Sequence, residues 1–280
     1  MLKVGIVGLD ALYMHGVVFA QVLRDHPDAR LFAVSGNVKK SLIESFAKRY
    51  GAEVWDTDYR KIVTHPEIDA VITCNHIGEL ADACITAAEA GKHVMAGKGM
   101  CRTLDEADKI GSSCRKANVK LQVNFAFRFR PAAQKCIELM KKDIIGEPKV
   151  ATQIAYEPSA VKEQDEMMRA PEWPADWLFD PRKSFGGAFW WFGWWAVDIM
   201  RHLLQSEIRS VRAEMGTYIC DTPVEDFGAA KLTFENGVRA YFQTSFHQTY
   251  ANDPRENPRL LGGEGFDITV INGTMGDLIY

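Results

Sequence analysis

Nowhere in the 280 residues does an apolar run reach the ~18–20 residues needed to span a bilayer. No pair of the six cysteines, at 74, 84, 101, 114, 136 and 220, has C-x-x-C spacing, and no His/Cys cluster has zinc-ligand spacing. That excludes finger and ribbon metal sites, and no metal is expected. Basic charge is not in excess either: 33 Lys and Arg against 37 Asp and Glu give a net charge of −4 and a pI near 6.0. Neither nucleic acid nor an anionic membrane is therefore an expected partner. The apolar start, MLKVGIVGL, lacks the length and the small-residue cleavage site of a secretion signal and reads as a first buried strand. Scattered thiols without such a signal point to a cytoplasmic setting, with most cysteines packed as small core residues.

What the sequence does have is alternation. With 47% hydrophobic and 25% charged residues it suits a folded chain of one large or two medium domains. KVGIVG (3–8), RLFAVSG (30–36), DAVITC (69–74), KHVMAG (92–97) and VKLQVNF (119–125) are short apolar runs with strand character. Between them, residues 11–23, 39–51, 79–91 and 105–118 carry apolar side chains at helical spacing, with Gly51 and Gly91 at helix ends. Strands alternating with helices of this length imply βαβ units and a parallel sheet. Right-handed crossovers then give a doubly wound, Rossmann-like α/β domain over residues 1–123.

Such sheets bind ligands beyond the carboxyl ends of their strands, where the first strand-to-helix turn carries a phosphate cradle. The dinucleotide fingerprint wants three glycines; here the turn reads Gly8, Asp10 and Tyr13 at those places, so only the first is kept. Asp10 is a helix cap or a competitor for the amides of Ala11 and Leu12 that would hold a pyrophosphate. Tyr13 is expected to push the first helix away from the sheet. After the second strand, an NAD-binding chain usually offers an acid to the adenosine ribose. Residues 34–40, VSGNVKK, contain none, and Ser35, Asn37, Lys39 and Lys40 tilt the expectation slightly from NAD toward NADP.

The run from Leu31 to Asn75, then AGKHVMAGKGMCRTLDEADKI, then NFAFRFRP, resembles the Gfo/Idh/MocA family of nicotinamide-dependent oxidoreductases, in order and over nearly the whole chain. The resemblance implies a second α/β domain, residues 124–280, built on a large, open, mostly antiparallel sheet that carries the substrate pocket and commonly a dimer contact. Residues 226–248 fit two of its strands joined at Asn236-Gly237, a hairpin signal, and residues 266–280 resemble its later strand pair. The family continues some tens of residues further, so the expectation is a shorter outer sheet or a chain cut at its C-terminus.

The same resemblance assigns site residues. The family's Glu-Lys-Pro becomes Gly97-Lys98-Gly99, which keeps the lysine that assists proton transfer beside the nicotinamide and replaces its neighbours with glycines expected to leave the turn free. Asn75 matches a cofactor-side position and Arg128 a pocket arginine. Trp173 and Trp177 match a segment preceding the second-domain helix, and that proline-rich, acidic loop reads as a pocket lid. In that helix, GGAFWWFGWWAVD (186–198), the family's first aspartate becomes Trp191, its catalytic histidine becomes Trp195, and Asp198 is kept. Indole cannot shuttle a proton. Residues 191, 195, 198 and 202 share one helical face.

Three readings of the tryptophans stay open: core packing (favoured for Trp190 and Trp194), a stacking platform of Trp191 and Trp195 for a sugar or glycoside, or a plug in an old active site. In the platform case Asp198 or His202 would join Lys98 in acid/base work. His247, on an expected strand, reads as structural. The expected protein is an NAD- or NADP-dependent oxidoreductase acting on a hydroxyl or carbonyl carbon of a sugar, cyclitol or glycoside. A homo-oligomer through the C-terminal sheet is expected with it. The alternatives are a catalytically silent subunit of the same fold and a redox-neutral NAD-dependent lyase or glycosidase.

Overall fold

The computed structural model describes residues 1–10, 13–156, 179–219, 222–246 and 266–280. Ala11, Leu12, Trp173, Trp177, Cys220 and His247 lie outside the described residues. The described chain divides into two compact units. One comprises Met1–Asn124 with residues 179–185; the other starts at Phe125 and takes in Gly186–Tyr280.

The first unit is a six-stranded, wholly parallel sheet. Its elements run β1 (Leu2–Val7), α1 (Tyr13–Asp25), β2 (Ala29–Ser35), α2 (Lys40–Tyr50), β3 (Val54–Asp56), α3 (Tyr59–Val63), β4 (Ala70–Thr73), α4 (Ile77–Glu89), β5 (His93–Ala96), α5 (Leu104–Lys116) and β6 (Leu121–Val123). A four-residue α7 (Pro181–Ser184) also belongs to it. The strand order β3-β2-β1-β4-β5-β6 reverses direction between β1 and β4, the switch point of a doubly wound fold. Apolar clusters cover the sheet: α1 and α2 contribute Ala20, Leu23, Ile43 and Phe46 to one, while α3, α4 and α5 contribute Ile62, Leu80 and Ile110 to another. Five strands are legible in the sequence; the sixth is the three-residue edge strand β3. Gly51 closes α2 in the left-handed region at φ 76°, donating its N–H to the Ala47 carbonyl.

The expected displacement of α1 by Tyr13 is offset by another residue. A Cβ on Gly16 would lie 2.0 Å from Leu9 Cδ2, and Leu9 is fully buried. Gly16, one turn later than the fingerprint's third glycine, therefore supplies the close helix-to-strand approach.

The second unit is a mixed sheet in the order β12-β11-β7-β10-β9-β8. It is formed by β7 (Pro148–Tyr156), β8 (Ile208–Gly216), β9 (Phe227–Phe234), β10 (Arg239–Ser245), β11 (Phe266–Gly273) and β12 (Asp277–Ile279), preceded by α6 (Pro131–Lys141). Only β7 and β10 run parallel; the other neighbours are antiparallel. The β9–β10 hairpin turns at Asn236-Gly237, with Gly237 at φ 87° and Asn236 Oδ1 accepting the Val238 N–H.

One face of this sheet (Ala151, Ala230, Leu232, Phe234, Ala240 and Phe242) packs with Ala196, Ile199, Met200 and Leu203 of α8 (Ala188–Leu204), the tryptophan helix. The alternate residues Thr152, Ile154, Arg212, Glu214, Lys231 and Tyr241 line a groove of ≈ 560 Å³ on the opposite face.

Candidate functional site

In the first unit the predicted residues gather at the carboxyl ends of β1, β2, β4 and β5. Gly8 sits at φ +82°, and a Cβ there would lie 2.2 Å from the Asn75 amide nitrogen. The first fingerprint glycine is thus required both by its backbone and by the loop after β4. Asn75 is buried; its Nδ2 donates to Glu79 Oε2 at 3.4 Å, and its Oδ1 has no hydrogen-bond partner among the described residues. Ser35, at the end of β2, is fully buried, and its Oγ likewise has no hydrogen-bond partner among the described residues. Its carbonyl accepts the Leu9 N–H at 3.0 Å, tying the two loops together. Asn37, Lys39 and Lys40 are exposed, and Lys39 takes the N-cap position of α2 without a side-chain bond.

Asp10 reaches across to the end of β2, where its Oδ1 accepts the Asn37 N–H at 2.9 Å. Burial raises its pKa above the ordinary value, against the backbone amides of Asn37 and of Asp10 itself, which lower it. Glu79 adds a raising and His76 a lowering influence. Under this carboxylate, burial and the Asp10 charge push the Cys74 thiol up to about 12, so Cys74 is an inert core thiol. The other described cysteines are buried too, as expected.

Lys98 follows β5 and is 9% exposed. The glycines beside it do not leave the turn free. A Cβ on Gly97 would lie 2.9 Å from the Thr73 carbonyl oxygen, and its N–H donates to Thr73 Oγ1 at 3.2 Å. Gly99 sits at φ 60°. Each glycine meets a local demand, and together they fix where Lys98 leaves the strand. Three residues that the sequence reading passed over join this edge. His15, on α1, is pushed down to about 4 by burial and by the Lys98 charge. His76 is 3.6 Å from Glu79 through Nε2, and its buried Nδ1 has no hydrogen-bond partner among the described residues. Gly36 is the third: a Cβ on it would lie 3.1 Å from the Asp10 amide nitrogen. Gly36 and His76 stand directly beside predicted residues in the sequence, which was their available signal; His15 had none.

In the second unit the tryptophan helix begins where only glycine fits: a Cβ on Gly187 would lie 1.8 Å from the Glu225 carbonyl oxygen. That carbonyl accepts the Ala188 N–H at 2.8 Å, and Glu225 Oε1 accepts the Trp190 N–H at 3.1 Å. A carboxylate from a distant loop thus caps the positive end of the helix. Trp195 is buried and stacks on Phe127, with centroids 4.2 Å apart and planes at 15°, while Phe125 meets it edge-on at 6.1 Å. The Arg130 guanidinium lies 3.5 Å from the centroid of the same Phe127 ring, which leaves it the face opposite Trp195.

Trp190 and Trp194, expected in the core, are instead half-buried and packed edge-to-face at 4.8 Å; the core contacts are made by Ala196, Ile199, Met200 and Leu203. Trp191 is half-buried. Asp198 is 3% exposed and receives Arg128 Nε at 2.7 and 3.0 Å and its Nη2 as well. This ion pair engages the Asp198 carboxylate, whereas the sequence had offered it for acid/base work. His202 Nε2 is buried without a hydrogen-bond partner among the described residues, and burial and the Arg128 charge lower its pKa while Asp198 opposes them.

Among the described residues no helix is long and apolar enough to cross a membrane, and no group of three or more His, Cys, Asp or Glu could hold a metal ion. The residues at the first unit's edge could hold a dinucleotide: two fully buried polar atoms, Ser35 Oγ at the end of β2 and Asn75 Oδ1 after β4, have no hydrogen-bond partner among the described residues.

Comparison with known proteins agrees with this layout. The oxidoreductase YrbE of Bacillus subtilis is 29% identical over 255 residues, covering 90% of this chain and 69% of that protein. Myo-inositol 2-dehydrogenase of Thermotoga maritima is 25% identical over 259 residues, covering 91% and 71%. A structure of levoglucosan dehydrogenase with NADH and L-sorbose shares the fold at a TM-score of 0.82 and 21% identity, over 100% of this chain and 73% of that one. Residues 2–125 match the oxidoreductase family with an NAD-binding Rossmann fold, and residues 134–276 match the GFO/IDH/MocA C-terminal domain. By both halves, the chain belongs to the Gfo/Idh/MocA family of oxidoreductases.

Proposed function

We propose that this protein binds a nicotinamide dinucleotide at the carboxyl edge of its parallel sheet and is a dehydrogenase or reductase of a hydroxyl-bearing carbon in a sugar, cyclitol or glycoside. The observation that carries the reading is Lys98, nine-tenths buried in a turn fixed by two glycines, on the same edge as the unsatisfied Ser35 Oγ and Asn75 Oδ1. When bound, the nicotinamide gives or takes the hydride. Lys98 Nζ holds the proton that leaves or joins the substrate oxygen, and its ammonium favours negative charge developing there. Gly8 and the amides of the β1–α1 turn hold the pyrophosphate, and Ser35 and Asn75 hydrogen-bond the nucleotide. A cyclitol or sugar substrate is supported by relatives such as myo-inositol 2-dehydrogenase and D-xylose 1-dehydrogenase (NADP(+)) 2. Trp191 is the indole proposed to stack on the substrate, because Phe127 already covers a face of Trp195. With its carboxylate held by Arg128, Asp198 is proposed to position the helix rather than carry a proton. The open face of the second sheet is proposed to pair with a second copy. Arg212 and Lys231 beside Glu214 give it both signs of charge, as a self-complementary twofold contact requires.

Titration with NADH, followed by energy transfer from tryptophan to nicotinamide, tests the binding half. Lys98→Met tests the chemistry, in a screen of polyols and glycosides. Turnover should be lost while cofactor affinity stays within a few-fold; surviving turnover would remove Lys98 from the mechanism. A second reading, a catalytically silent dinucleotide-binding subunit, is favoured by Trp195, which cannot move a proton and is packed away on Phe127. It is distinguished by saturable binding with no substrate turned over.

A further inference from the structure

In a doubly wound dinucleotide fold the ribose of the adenosine lies at the end of the second strand, where an acid accepts its two hydroxyls. In this chain that stretch is Ser35-Gly36-Asn37, with no acid. A carboxylate nevertheless stands there, delivered from the preceding loop. Asp10 Oδ1 is 2.9 Å from the Asn37 amide nitrogen, and the Leu9 N–H donates to the Ser35 carbonyl at 3.0 Å. Gly36 makes this approach possible. A Cβ on it would meet Leu9 Cβ at 3.2 Å and Asp10 Oδ1 at 3.4 Å, besides the Asp10 amide nitrogen at 3.1 Å. At the same strand end lies Ser35 Oγ, fully buried and without a hydrogen-bond partner among the described residues, an independent sign of a ligand hydroxyl or phosphate oxygen at this point.

We infer that Asp10, although it occupies a glycine position of the phosphate loop, is the ribose-recognising acid of this chain and selects NAD(H) over NADP(H). The inference rests on the proposed dinucleotide site. One oxygen of Asp10 is engaged by the Asn37 amide, which orients the carboxylate; the remaining acceptor capacity suits a ribose diol, which offers donors. A 2′-phosphate offers none and brings negative charge against a carboxylate fixed in a partly desolvated place. The residues that first suggested NADP do not offset this. Lys39, at the N-cap of α2, and Lys40, its first residue, are exposed, where solvent and salt screen them. The other charged groups near Asp10 are Glu79, which reinforces its field, and His76, which opposes it. Because burial raises the Asp10 pKa, the contrast between cofactors is cleanest above neutral pH, with the group ionised.

The test is direct binding at pH 8 of NADH, NADPH, ADP-ribose and its 2′-phosphate to wild type and to Asp10→Asn, by calorimetry and fluorescence, with circular dichroism as the check on folding. Asparagine keeps an oxygen for the Asn37 amide and removes the charge. Wild type should prefer the unphosphorylated member of each pair by about tenfold or more, the size of a single close charge repulsion. In Asp10→Asn the preference should fall to within about threefold, mainly through tighter NADPH. In wild type it should also shrink as sodium chloride is raised, a measurement that needs no variant. A wild type that favours NADPH, or a ratio unchanged by either charge removal or salt, overturns the assignment of Asp10 while leaving the dinucleotide site standing. If wild type binds none of the four compounds, the proposed function falls and this inference falls with it.

Discussion

The Arg128–Asp198 pair separates a structural from a chemical role for the tryptophan helix. The Asp198 side chain is 4% exposed and that of Arg128 37%, so removing the arginine strands a carboxylate in the interior, whereas removing the acid releases a cation that still reaches water. Breaking a buried pair from the arginine side costs about 3–5 kcal/mol. Partial exposure of the guanidinium places this pair at the lower end, near 3 kcal/mol. For Arg128→Met the loss should appear in urea unfolding followed by tryptophan fluorescence, since Trp190, Trp191, Trp194 and Trp195 all lie on this helix. Asp198→Asn keeps the shape and a hydrogen-bond acceptor and should cost about 1–2 kcal/mol. The double variant should be less destabilised than the sum, by about 1 kcal/mol or more of coupling. Additive losses, or an Asp198→Asn variant of wild-type stability that has lost only turnover, would refute the structural reading and return Asp198 to the chemistry.

Three further outcomes follow from the geometry. Trp195→His removes the stack on Phe127 and should cost about 2–4 kcal/mol; a variant of undiminished stability with gained turnover would instead mark Trp195 as a plug in an old site. Burial holds His15 at about 4 against an ordinary 6.5. The unfolded chain therefore takes up a proton that the folded one refuses, and stability should fall by up to about 3 kcal/mol as pH drops from 6.5 toward 4. Equal pH profiles for wild type and His15→Gln over that window would contradict the assignment. Sedimentation should find an oligomer, and Tyr241→Glu, placed in the groove on the open sheet face, should dissociate it without changing dinucleotide affinity.

The parallel sheet was legible because buried strands and amphipathic helices have different apolar periods. β3 was not, since three residues, Val54 to Asp56, carry no period. The hairpin at Asn236-Gly237 was legible from its turn chemistry alone. Gly16 was visible as a glycine inside a helical pattern, a sign of close packing, but only Leu9 beneath it shows why it can stand in for Gly at position 13. The helical face 191-195-198-202 was correct as spacing, yet spacing within one helix cannot say what covers it. Phe127 and Arg128, on a turn far away in sequence, decide that Trp195 is stacked and Asp198 is paired. Asp10 shows the same limit: its position broke the fingerprint, and its contact with Asn37 is tertiary.

The two units also differ in what their departures from the family pattern leave behind. In the first, each loss has a local replacement: Gly16 for the third glycine, Gly97 and Gly99 around Lys98, Asp10 at the end of β2. What remains unexplained by folding alone is polar: a buried oxygen without a partner costs about 1–3 kcal/mol, and among the described residues Ser35 Oγ, at the end of β2, and Asn75 Oδ1, after β4, are both in that state. A chain that needed only the fold would gain by losing them. Ser35→Ala therefore should raise the stability of the ligand-free protein by about 1 kcal/mol and weaken dinucleotide binding several-fold, opposite signs that a structural serine cannot produce. Thermal unfolding with and without NADH reads both at once: the variant's transition should lie above that of wild type without ligand, and rise less than wild type when NADH is added. If Ser35→Ala is instead destabilised, its hydroxyl serves the fold, and the argument that this edge is built around a ligand loses its strongest support.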